Sequence, residues 1–432
     1  MRLPFWAIVS QTAGLFQFIG AGASSTDPGV VTTTSSAISS TTSISASEII
    51  ARFPRCAIPC VTSVIANSTC SPDDIPCLCS DKTAMGTASV CVEDRCPLAD
   101  ALVTKNTTQT ACHAPIRDRS GEFKNTVIAL GVVTIVITVT RLIFKQFFHP
   151  AKKLGADDWA IFGTLAICIT GLVIGIRGLT ANGLGKDVWT LQTSEISQFV
   201  LYFYVLEILY LAGISLVKLS ISLFYMNLFA ATVAPAVLWA TVIFNILYGL
   251  IFVTGAIFQC TPVDFYWRQY LDASDGHCIN INLFGWLNAG IGLVIDLWMI
   301  ILPMSQVLPL RLHWKKKIGV AIMLLLGTFV TVVSALRLQS LIHFANSNNP
   351  TWDQWTTAYW SVLEINVGMI CSCLPSLRLI LVRLCPSIFG SSNSSSYHHE
   401  LGPAGKSFHR SKVARTEDDT ESHRYIMDLD ER

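Results

Sequence analysis

The chain has 432 residues, of which 51% are hydrophobic and only 14% are charged. A soluble domain carries about 25% charged residues, so the composition argues against a soluble globular protein. The formal net charge is +1, which gives no support to a nucleic-acid partner. The composition therefore predicts an α-helical protein that crosses the lipid bilayer several times.

Residues 1–23 are predicted to form a cleaved signal peptide. Arg2 precedes an apolar stretch over residues 3–19, and the small residues 21–23 are typical of a signal-peptidase site. The apolar stretch is too short and interrupted to favour the alternative, an uncleaved anchor. Residues 24–48 are dominated by Ser and Thr, which predicts an extended, O-glycosylated linker because such a segment cannot bury enough apolar surface to fold.

Residues 49–115 contain eight closely spaced cysteines, which indicate a disulfide-bonded module in an oxidising compartment. The core of so small a module is insufficient by itself, and four bridges would supply the missing stability. The spacing fixes no pairing, although geometry disfavours a bridge within the CLC tripeptide. Asn67 and Asn106 begin glycosylation acceptor motifs in the same region. The cysteines are Cys56, Cys60, Cys70, Cys77, Cys79, Cys91, Cys96 and Cys112.

From Pro54 to Cys112, this spacing resembles the CFEM domain, the eight-cysteine module of fungal extracellular membrane proteins. The resemblance implies a compact helical basket with four disulfides. Some members of that family bind haem and ligate its iron through an Asp three residues before a CxC motif. The matching residue is Asp74, so the resemblance makes haem a candidate cofactor and Asp74 its candidate iron ligand. The alternative is that Asp74 only caps or turns the loop before Pro76.

Residues 124–385 contain seven apolar runs long enough to cross the ~30 Å hydrocarbon core as helices. The loops after the first and fifth runs carry more Lys and Arg than the loops on the other side. The positive-inside rule therefore predicts a plasma-membrane protein with the module outside and the tail, residues 386–432, disordered in the cytoplasm. The predicted spans are residues 125–141, 159–176, 202–229, 233–257, 283–303, 318–342 and 359–381.

Several polar side chains within these spans are candidate site residues. A charge in the middle of a span costs at least about 2.5–3.5 kcal/mol, so each one needs a partner. Matching them by depth predicts the ion pairs Lys218–Asp296 and Arg337–Glu364, with Glu207 at a depth to compete for Arg337. Backbone carbonyls, hydroxyls or snorkelling are the alternative partners. The functional interpretations are a ligand pocket or a switch between two packings, and we favour a structural or switch role over direct ligand contact.

Cys260 and Cys278 bracket the loop after the fourth span, and we expect them to pair with each other. This loop follows the fourth of seven spans, so it lies on the same side of the membrane as the module. An oxidising environment there agrees with the disulfides expected in the module.

A series of motifs over residues 125–385 resembles the fungal Pth-type integral membrane family, also called the fungal rhodopsin-like or SAT family. The motifs are GADDWAI, GLGKDVW, CTPVDFYW, DLWMIILPM and EINVGMICSCLPSLR, in that order. With a CFEM module ahead of seven spans, the resemblance implies a receptor-like protein that senses surface, nutrient or host cues. It further implies an unknown extracellular ligand or surface, signalling through a heterotrimeric G protein α subunit, and a part in pathogenicity.

Two positions depart from the usual pattern of this family. Asp187 stands where the family usually has His, and Asn227 stands where it often has Arg, near the end that would engage a G protein. The last predicted span contains no Lys for a Schiff base, so retinal is not expected.

The sequence contains no Gly-rich phosphate loop, HExxH motif or nucleophile elbow, so we expect no enzyme. A receptor-like protein is the favoured interpretation. The alternatives are a membrane-tethered haem- or iron-binding protein and a CFEM virulence effector. A transporter is disfavoured because the sequence shows no inverted repeat or paired broken helices.

Overall fold

The computed structural model describes residues 49–71, 74–148, 154–229, 233–271, 275–307, 314–344 and 349–384. The predicted signal peptide, the Ser/Thr-rich linker and the predicted tail lie outside these described residues.

The described residues of the module include four short helices, α1 (Ile58–Asn67), α2 (Ile75–Ser80), α3 (Lys82–Arg95) and α4 (Leu98–Ala111). Its largest cluster of buried apolar side chains in the described residues is small and consists of Phe53, Ala57, Cys60 and Val92. The disulfides compensate for this small core. They join Cys56 to Cys96, Cys60 to Cys91, Cys70 to Cys77 and Cys79 to Cys112.

Within the described ranges, seven helices are long and apolar enough to cross a membrane, as the sequence predicts. They are α5 (Ser120–Ile143), α6 (Ala156–Ile174), α7 (Thr193–Leu228), α8 (Pro235–Ile257), α10 (Ile281–Val307), α11 (Trp314–Phe344) and α12 (Pro350–Leu384). Because α5 follows the module directly, the end of the bundle where α5 begins is called the module end, and the opposite end is called the far end. Helices α7, α10 and α12 also begin at the module end.

Helices α7 and α12 begin earlier than hydropathy predicts, at Thr193 and Pro350 instead of residues 202 and 359. Glu195 Oε2 accepts a hydrogen bond from Gln192 N at 2.9 Å, a capping contact that begins α7 inside the predicted polar loop. A proline is favoured in the first turn of a helix because it has no N–H to leave unpaired. Both extensions are polar in sequence, so a search for apolar runs omits them.

The loop between α8 and α10 is a small hairpin. Strand β1 (Cys260–Thr261) pairs antiparallel with β2 (His277–Cys278), and the short helix α9 (Phe265–Arg268) lies between them. The structure joins Cys260 to Cys278, the pair expected from the sequence. The loop packs against α7, where Ser197 Oγ donates to Trp267 O at 2.9 Å and the Tyr204 ring lies 5.2 Å from that of Tyr266.

Candidate functional site

The first of two central ion pairs joins α7 to α10. Lys218 Nζ lies 2.8 Å from Asp296 Oδ1, and both side chains are buried. Lys218 Nζ also donates to the carbonyl of Gly292 at 2.7 Å. The predicted ion pair Lys218–Asp296 is therefore confirmed. A backbone carbonyl, one of the alternative partners considered from the sequence, bonds to the same lysine.

The second ion pair joins α11 to α12. Arg337 Nε lies 2.8 Å from Glu364 Oε2, in an ion-pair contact that lacks the alignment of a hydrogen bond. The Tyr210 hydroxyl of α7 donates to the same carboxylate at 2.6 Å, and the Arg337 guanidinium lies 4.8 Å from the centre of the Tyr210 ring. Glu364 and Tyr210 together hold Arg337 at the point where three helices meet.

One hydroxyl connects the two ion pairs. Ser334 Oγ on α11 lies 2.9 Å from Asp296 Oδ2 and 2.6 Å from Glu364 Oε1. A serine hydroxyl has one proton, so it donates to one acceptor at a time. The two carboxylates therefore compete for the Ser334 proton with each other and with the carbonyl of Val330, 3.1 Å away. We call Lys218, Asp296, Ser334, Glu364, Arg337 and Tyr210 the central network.

A cavity of about 180 Å³ lies on the module-end side of this network. Its walls are mostly apolar, and side chains from α5, α6, α7, α10, α11 and α12 contribute to it. Arg337 and Tyr210 of the central network are among the residues that line it. The network thus forms part of the cavity wall.

Glu207 also lines the module-end cavity, but it does not compete for Arg337 as the sequence suggested. Its Oε2 accepts a hydrogen bond from Gln259 Nε2 at 3.3 Å, whereas Glu364 takes Arg337. Gln259 directly precedes the Cys260 bridge, a position that depth matching between spans does not consider.

A smaller cavity of about 60 Å³ lies on the far-end side of the network. Lys218 and Asp296 line it, together with Pro303 of α10 and Pro375 of α12. Both prolines lie inside their helices and remove a backbone N–H from the hydrogen-bond ladder. The central network therefore separates two cavities, and its far-end side faces the parts of α10 and α12 that are least restrained by backbone bonds.

A second charged cluster at the far end was not predicted from the sequence. Arg141 of α5 is buried, and its Nη2 lies 2.6 Å from Asp157 Oδ2 and 2.9 Å from Asp158 Oδ1 of α6. Arg141 also donates to the carbonyl of Ser372 on α12, and Lys145 Nζ lies 2.8 Å from Asp158 Oδ2. The sequence signal was the Asp pair of GADDWAI, which follows a basic residue at the end of the previous span.

The segment between module and bundle, residues 113–119, is fixed to the module end. From here on, "the linker" means this segment and not the Ser/Thr-rich residues 24–48. Arg117 pairs with Asp187, which is 3% exposed and also accepts from Asn349 Nδ2 at 2.7 Å. The Arg117 guanidinium lies 4.2 Å from the centre of the Trp352 ring. Asp187, which departs from the usual family residue, thus joins the linker to the loop before α12.

The contact between the linker and α12 passes through Gly185 of the GLGKDVW motif, a position that requires a glycine. Its φ is +80°, and a Cβ there would lie 2.9 Å from Trp355 Cδ1 and 3.1 Å from the carbonyl carbon of Arg119. Its carbonyl accepts from Arg119 N at 3.0 Å, and its N–H donates to Thr351 O at 3.0 Å. The linker and the start of α12 meet at this residue.

Asp118 adds an exposed contact to the linker. Its Oδ1 accepts from Ser120 N at 2.8 Å, at the start of α5, and its Oδ2 lies 3.9 Å from Lys186 Nζ. Partial burial raises the pKa of Asp118, but the hydrogen bonds from Ser120 and the charge of Lys186 outweigh it and leave the pKa below its ordinary value of 3.8. The folded state therefore favours the ionised carboxylate.

Asp74, the candidate haem ligand, is exposed and caps α2, where its Oδ1 accepts from Cys77 N at 3.1 Å. The module has an apolar cavity of about 110 Å³, lined by residues such as Phe53, Ile65 and Met85, and Asp74 does not line it. The described residues thus do not form a haem pocket around Asp74, and haem binding stays a prediction from the resemblance.

The two predicted glycosylation acceptors are exposed in the module. Asn67 ends α1 and Asn106 lies within α4. The side chains are accessible on the surface, as modification of either residue would require. Glycosylation itself stays a prediction.

Seven spanning helices behind a disulfide-bonded module define this chain as a polytopic membrane protein with an extramembrane domain. Residues 140–383 match the Fungal rhodopsin domain, and residues 49–113 match the CFEM domain. The chain belongs to the fungal rhodopsin-like family, in which SAT4 proteins are found, and carries a CFEM domain ahead of the bundle.

Similar proteins come from several fungi. A SAT4 family membrane protein of Emericella nidulans is 32% identical over 199 residues, which are 45% of this chain and 50% of the relative. Receptor GIN3 of Arthrobotrys oligospora is 22% identical over 285 residues, 64% of this chain and 68% of that protein. The Polyenoic acids biosynthesis gene cluster protein Ba17b of Metarhizium anisopliae is 24% identical over 277 residues, 61% of this chain and 74% of the relative. The chain thus spans half the length of the SAT4 relative, and no solved structure matches it.

Proposed function

We propose that this protein is a plasma-membrane receptor in which a ligand at the module end changes the packing of the far end. The observation that supports this proposal is the central network, which separates a cavity at the module end from a smaller one at the far end. The network connects α7, α10, α11 and α12, so a ligand that disturbs one ion pair acts on four helices. Receptor GIN3, to which the chain is similar, is a receptor by name.

The composition of the network favours a switch over a purely stabilising role. A buried ion pair adds little net stability, because removing two charges from water costs about as much as their attraction returns. The best-attested use of such groups is to specify one arrangement among several. Ser334 lies within hydrogen-bonding distance of both carboxylates and of the Val330 carbonyl, so the network allows arrangements that differ in which carboxylate receives its proton.

We further propose that the far end faces the cytoplasm and engages a heterotrimeric G protein α subunit. The sequence before and at the start of α11 carries Arg311 and the run Lys315 to Lys317, as the positive-inside rule requires of a cytoplasmic loop. Asn227, which replaces an Arg frequent in the family, is exposed in the last turn of α7 at the same end. Sensing of surface, nutrient or host cues, and a part in pathogenicity, are the biological roles that this coupling would serve.

Nucleotide exchange by a fungal Gα subunit tests the proposal, with the full-length protein in lipid nanodiscs. We expect the wild-type protein to accelerate exchange. The triple variant Lys315→Ala/Lys316→Ala/Lys317→Ala should lose this effect, because it removes three of the positive charges proposed to engage the Gα subunit. The control Lys82→Ala removes one exposed lysine from the module and should retain the effect.

A further variant, Ser334→Ala, connects the exchange assay to the central network. It removes the only hydroxyl in the described residues that contacts both Asp296 and Glu364, and we expect an altered basal rate with unchanged Gα binding. A wild-type protein that accelerates no Gα subunit would reject G-protein coupling. Equal exchange rates for the wild type and Ser334→Ala would reject the network as the switch.

A further inference from the structure

Gln354 is a buried polar side chain without a partner. It lies on α12 near the module end, is 1% exposed, and lines the module-end cavity. Neither its Nε2 nor its Oε1 has a hydrogen bond to any described residue. A buried donor or acceptor left unpaired costs about 1–3 kcal/mol, so an amide with both atoms unpaired needs an explanation. A molecule in the cavity that bonds to this amide provides one.

Other polar side chains in the cavity wall already have partners. The Tyr210 hydroxyl donates to Glu364, Thr357 Oγ1 lies 3.2 Å from Ser340 Oγ, and Asn366 Nδ2 donates to a backbone carbonyl of its own helix. Among the lining residues with described side chains, Gln354 alone has both a donor and an acceptor with nothing to bond. It is therefore the group that a ligand would satisfy.

The charges of the wall disfavour an ionised ligand. Glu364 holds the positive charge of Arg337, and Glu207 contributes a carboxylate to the lining. An anion would meet Glu207 and would have to displace Glu364 from Arg337. A cationic head bonded to Gln354 would face an uncharged amide, and Glu207 already accepts a hydrogen bond from Gln259. A ligand that bonds to Gln354 is therefore best uncharged, since burying an unpaired charge is far more costly than burying a neutral polar group.

The size of the cavity and its apolar wall define the rest of the ligand. At about 30 Å³ for each water molecule in the liquid, a volume of about 180 Å³ corresponds to roughly six waters. Apolar side chains such as Phe123, Val127 and Leu206 line it. The ligand is therefore small, with an apolar body and one polar head.

We propose that the module-end cavity binds a small uncharged carboxamide or lactam, whose N–H and C=O pair with Oε1 and Nε2 of Gln354. This names the ligand class of the receptor proposed above and so rests on that function. Two planar amides can form two parallel hydrogen bonds, whereas an alcohol offers its donor and acceptor on one atom. A carboxylic acid has the same pattern only when protonated, and with a pKa near 4 it is ionised at neutral pH.

Thermal unfolding of the full-length protein in nanodiscs tests this inference with four probes of one shape. They are benzamide, benzoate, toluene and benzamidine. We expect benzamide to raise the midpoint in a concentration-dependent way and to exceed benzoate and toluene, because a ligand that binds only the folded state stabilises it. Gln354→Leu should weaken benzamide binding at least about tenfold, whereas the control Gln192→Leu, at an exposed site, should leave it unchanged.

Two further measurements test the alternative explanations that a variant misfolds and that the cavity holds only water. Gln354→Leu removes two unpaired polar atoms, so without a ligand it should be at least as stable as the wild type. Gln354→Glu should reverse the preference from benzamide to benzamidine, because a carboxylate and an amidinium form a bidentate charged pair.

Several outcomes would overturn the inference. They are the absence of a benzamide shift, equal shifts for benzamide, benzoate and toluene, or benzamide binding that survives in Gln354→Leu. The assay contains no Gα subunit, so its failure is separate from a failure of G-protein coupling. Benzamide binding without nucleotide exchange would leave the site in place and reject the signalling role.

Discussion

The module and the bundle of this protein are stabilised by different means. The module has a small apolar core, and four disulfides join its short helices. The bundle has the Cys260–Cys278 bridge in the loop between α8 and α10 but keeps Cys168, Cys371 and Cys373 free among its described residues, and buried ion pairs join its helices. In water a small module lacks enough apolar surface to bury, whereas in lipid apolar surface gives little reason for helices to associate.

This difference indicates which region can move. A disulfide holds one arrangement and does not exchange partners without redox chemistry. An ion pair connected through a hydroxyl can exchange partners when a proton or a ligand arrives, as Ser334 between its two carboxylates illustrates. We therefore expect the module to behave as a rigid unit and the bundle to contain the switch.

The largest expected effect comes from breaking an ion pair of the bundle. Lys218→Met leaves Asp296 buried without its cation, which should lower the free energy of unfolding by about 3–5 kcal/mol. The double variant Lys218→Met/Asp296→Leu should recover most of this loss, since replacing both charges by apolar groups is often neutral. Thermal unfolding of the full-length protein measures both, with Lys82→Met, at an exposed site of the module, as the control.

A double variant as unstable as Lys218→Met would mean that the charges themselves stabilise the bundle. The comparison between the two regions would then fail, because the ion pairs would act as permanent braces like the disulfides.

The next effect concerns the module. Removing the Cys79–Cys112 bridge, which spans 33 residues, should destabilise the module by about 3.7 kcal/mol on the loop-entropy relation. Removing the Cys70–Cys77 bridge, which spans 7, should cost about 2.4 kcal/mol by the same relation. Double Cys→Ser variants compared by hydrogen exchange measure both losses. Faster exchange confined to the module would show that the two regions are stabilised separately, and faster exchange throughout the bundle would contradict this.

The sequence was sufficient to predict the seven spans and both central ion pairs. A charge in lipid must find a partner, and a helix rises by a fixed 1.5 Å per residue, so depth along each span limits the choice of partner. The Cys260–Cys278 bridge was predictable for a similar reason, because one short loop contains both thiols. In each case a strong requirement, a partner for a charge in lipid or for a thiol in a short loop, limited the possible contacts to a few residues.

The remaining site residues lie at the ends of predicted spans or in predicted loops, where hydropathy does not predict burial. Arg141 and the Asp157–Asp158 pair fall at predicted span ends, which the positive-inside rule assigns to loops, although the structure buries all three. Gln354 precedes the predicted start of the last span in a polar stretch, and only the added turns of α12 place it beside the cavity. The role of Asp187 depends on its contact with Arg117 of the linker, and sequence spacing does not show that the linker passes beside this loop.

A smaller effect is expected where the two regions meet. Asp187→Ala removes the carboxylate that holds Arg117 and Asn349, and we expect a loss of about 1.5–3 kcal/mol in local stability. The amides of Arg119 and Val188, which donate to Gly185 O and Asn349 Oδ1, should exchange at least about tenfold faster. The matched control Asp264→Ala breaks the exposed pair with Arg268 and should change exchange little. Unchanged exchange at Arg119 would show that the linker is held by its aromatic contacts instead.

The smallest expected effect is a pH dependence of the linker through Asp118. Its pKa in the folded protein lies below 3.8, because the Ser120 hydrogen bonds and the Lys186 charge outweigh the effect of burial. The stability that it contributes is therefore fully present above pH 3.8 and is lost as the pH falls through the lower folded pKa. Asp118→Asn should lower the unfolding midpoint slightly at pH 6, and this difference from the wild type should disappear at the acid end of the titration. A difference that persists unchanged at low pH would mean that Asp118 acts through its hydrogen bond to Ser120 N and not through its charge.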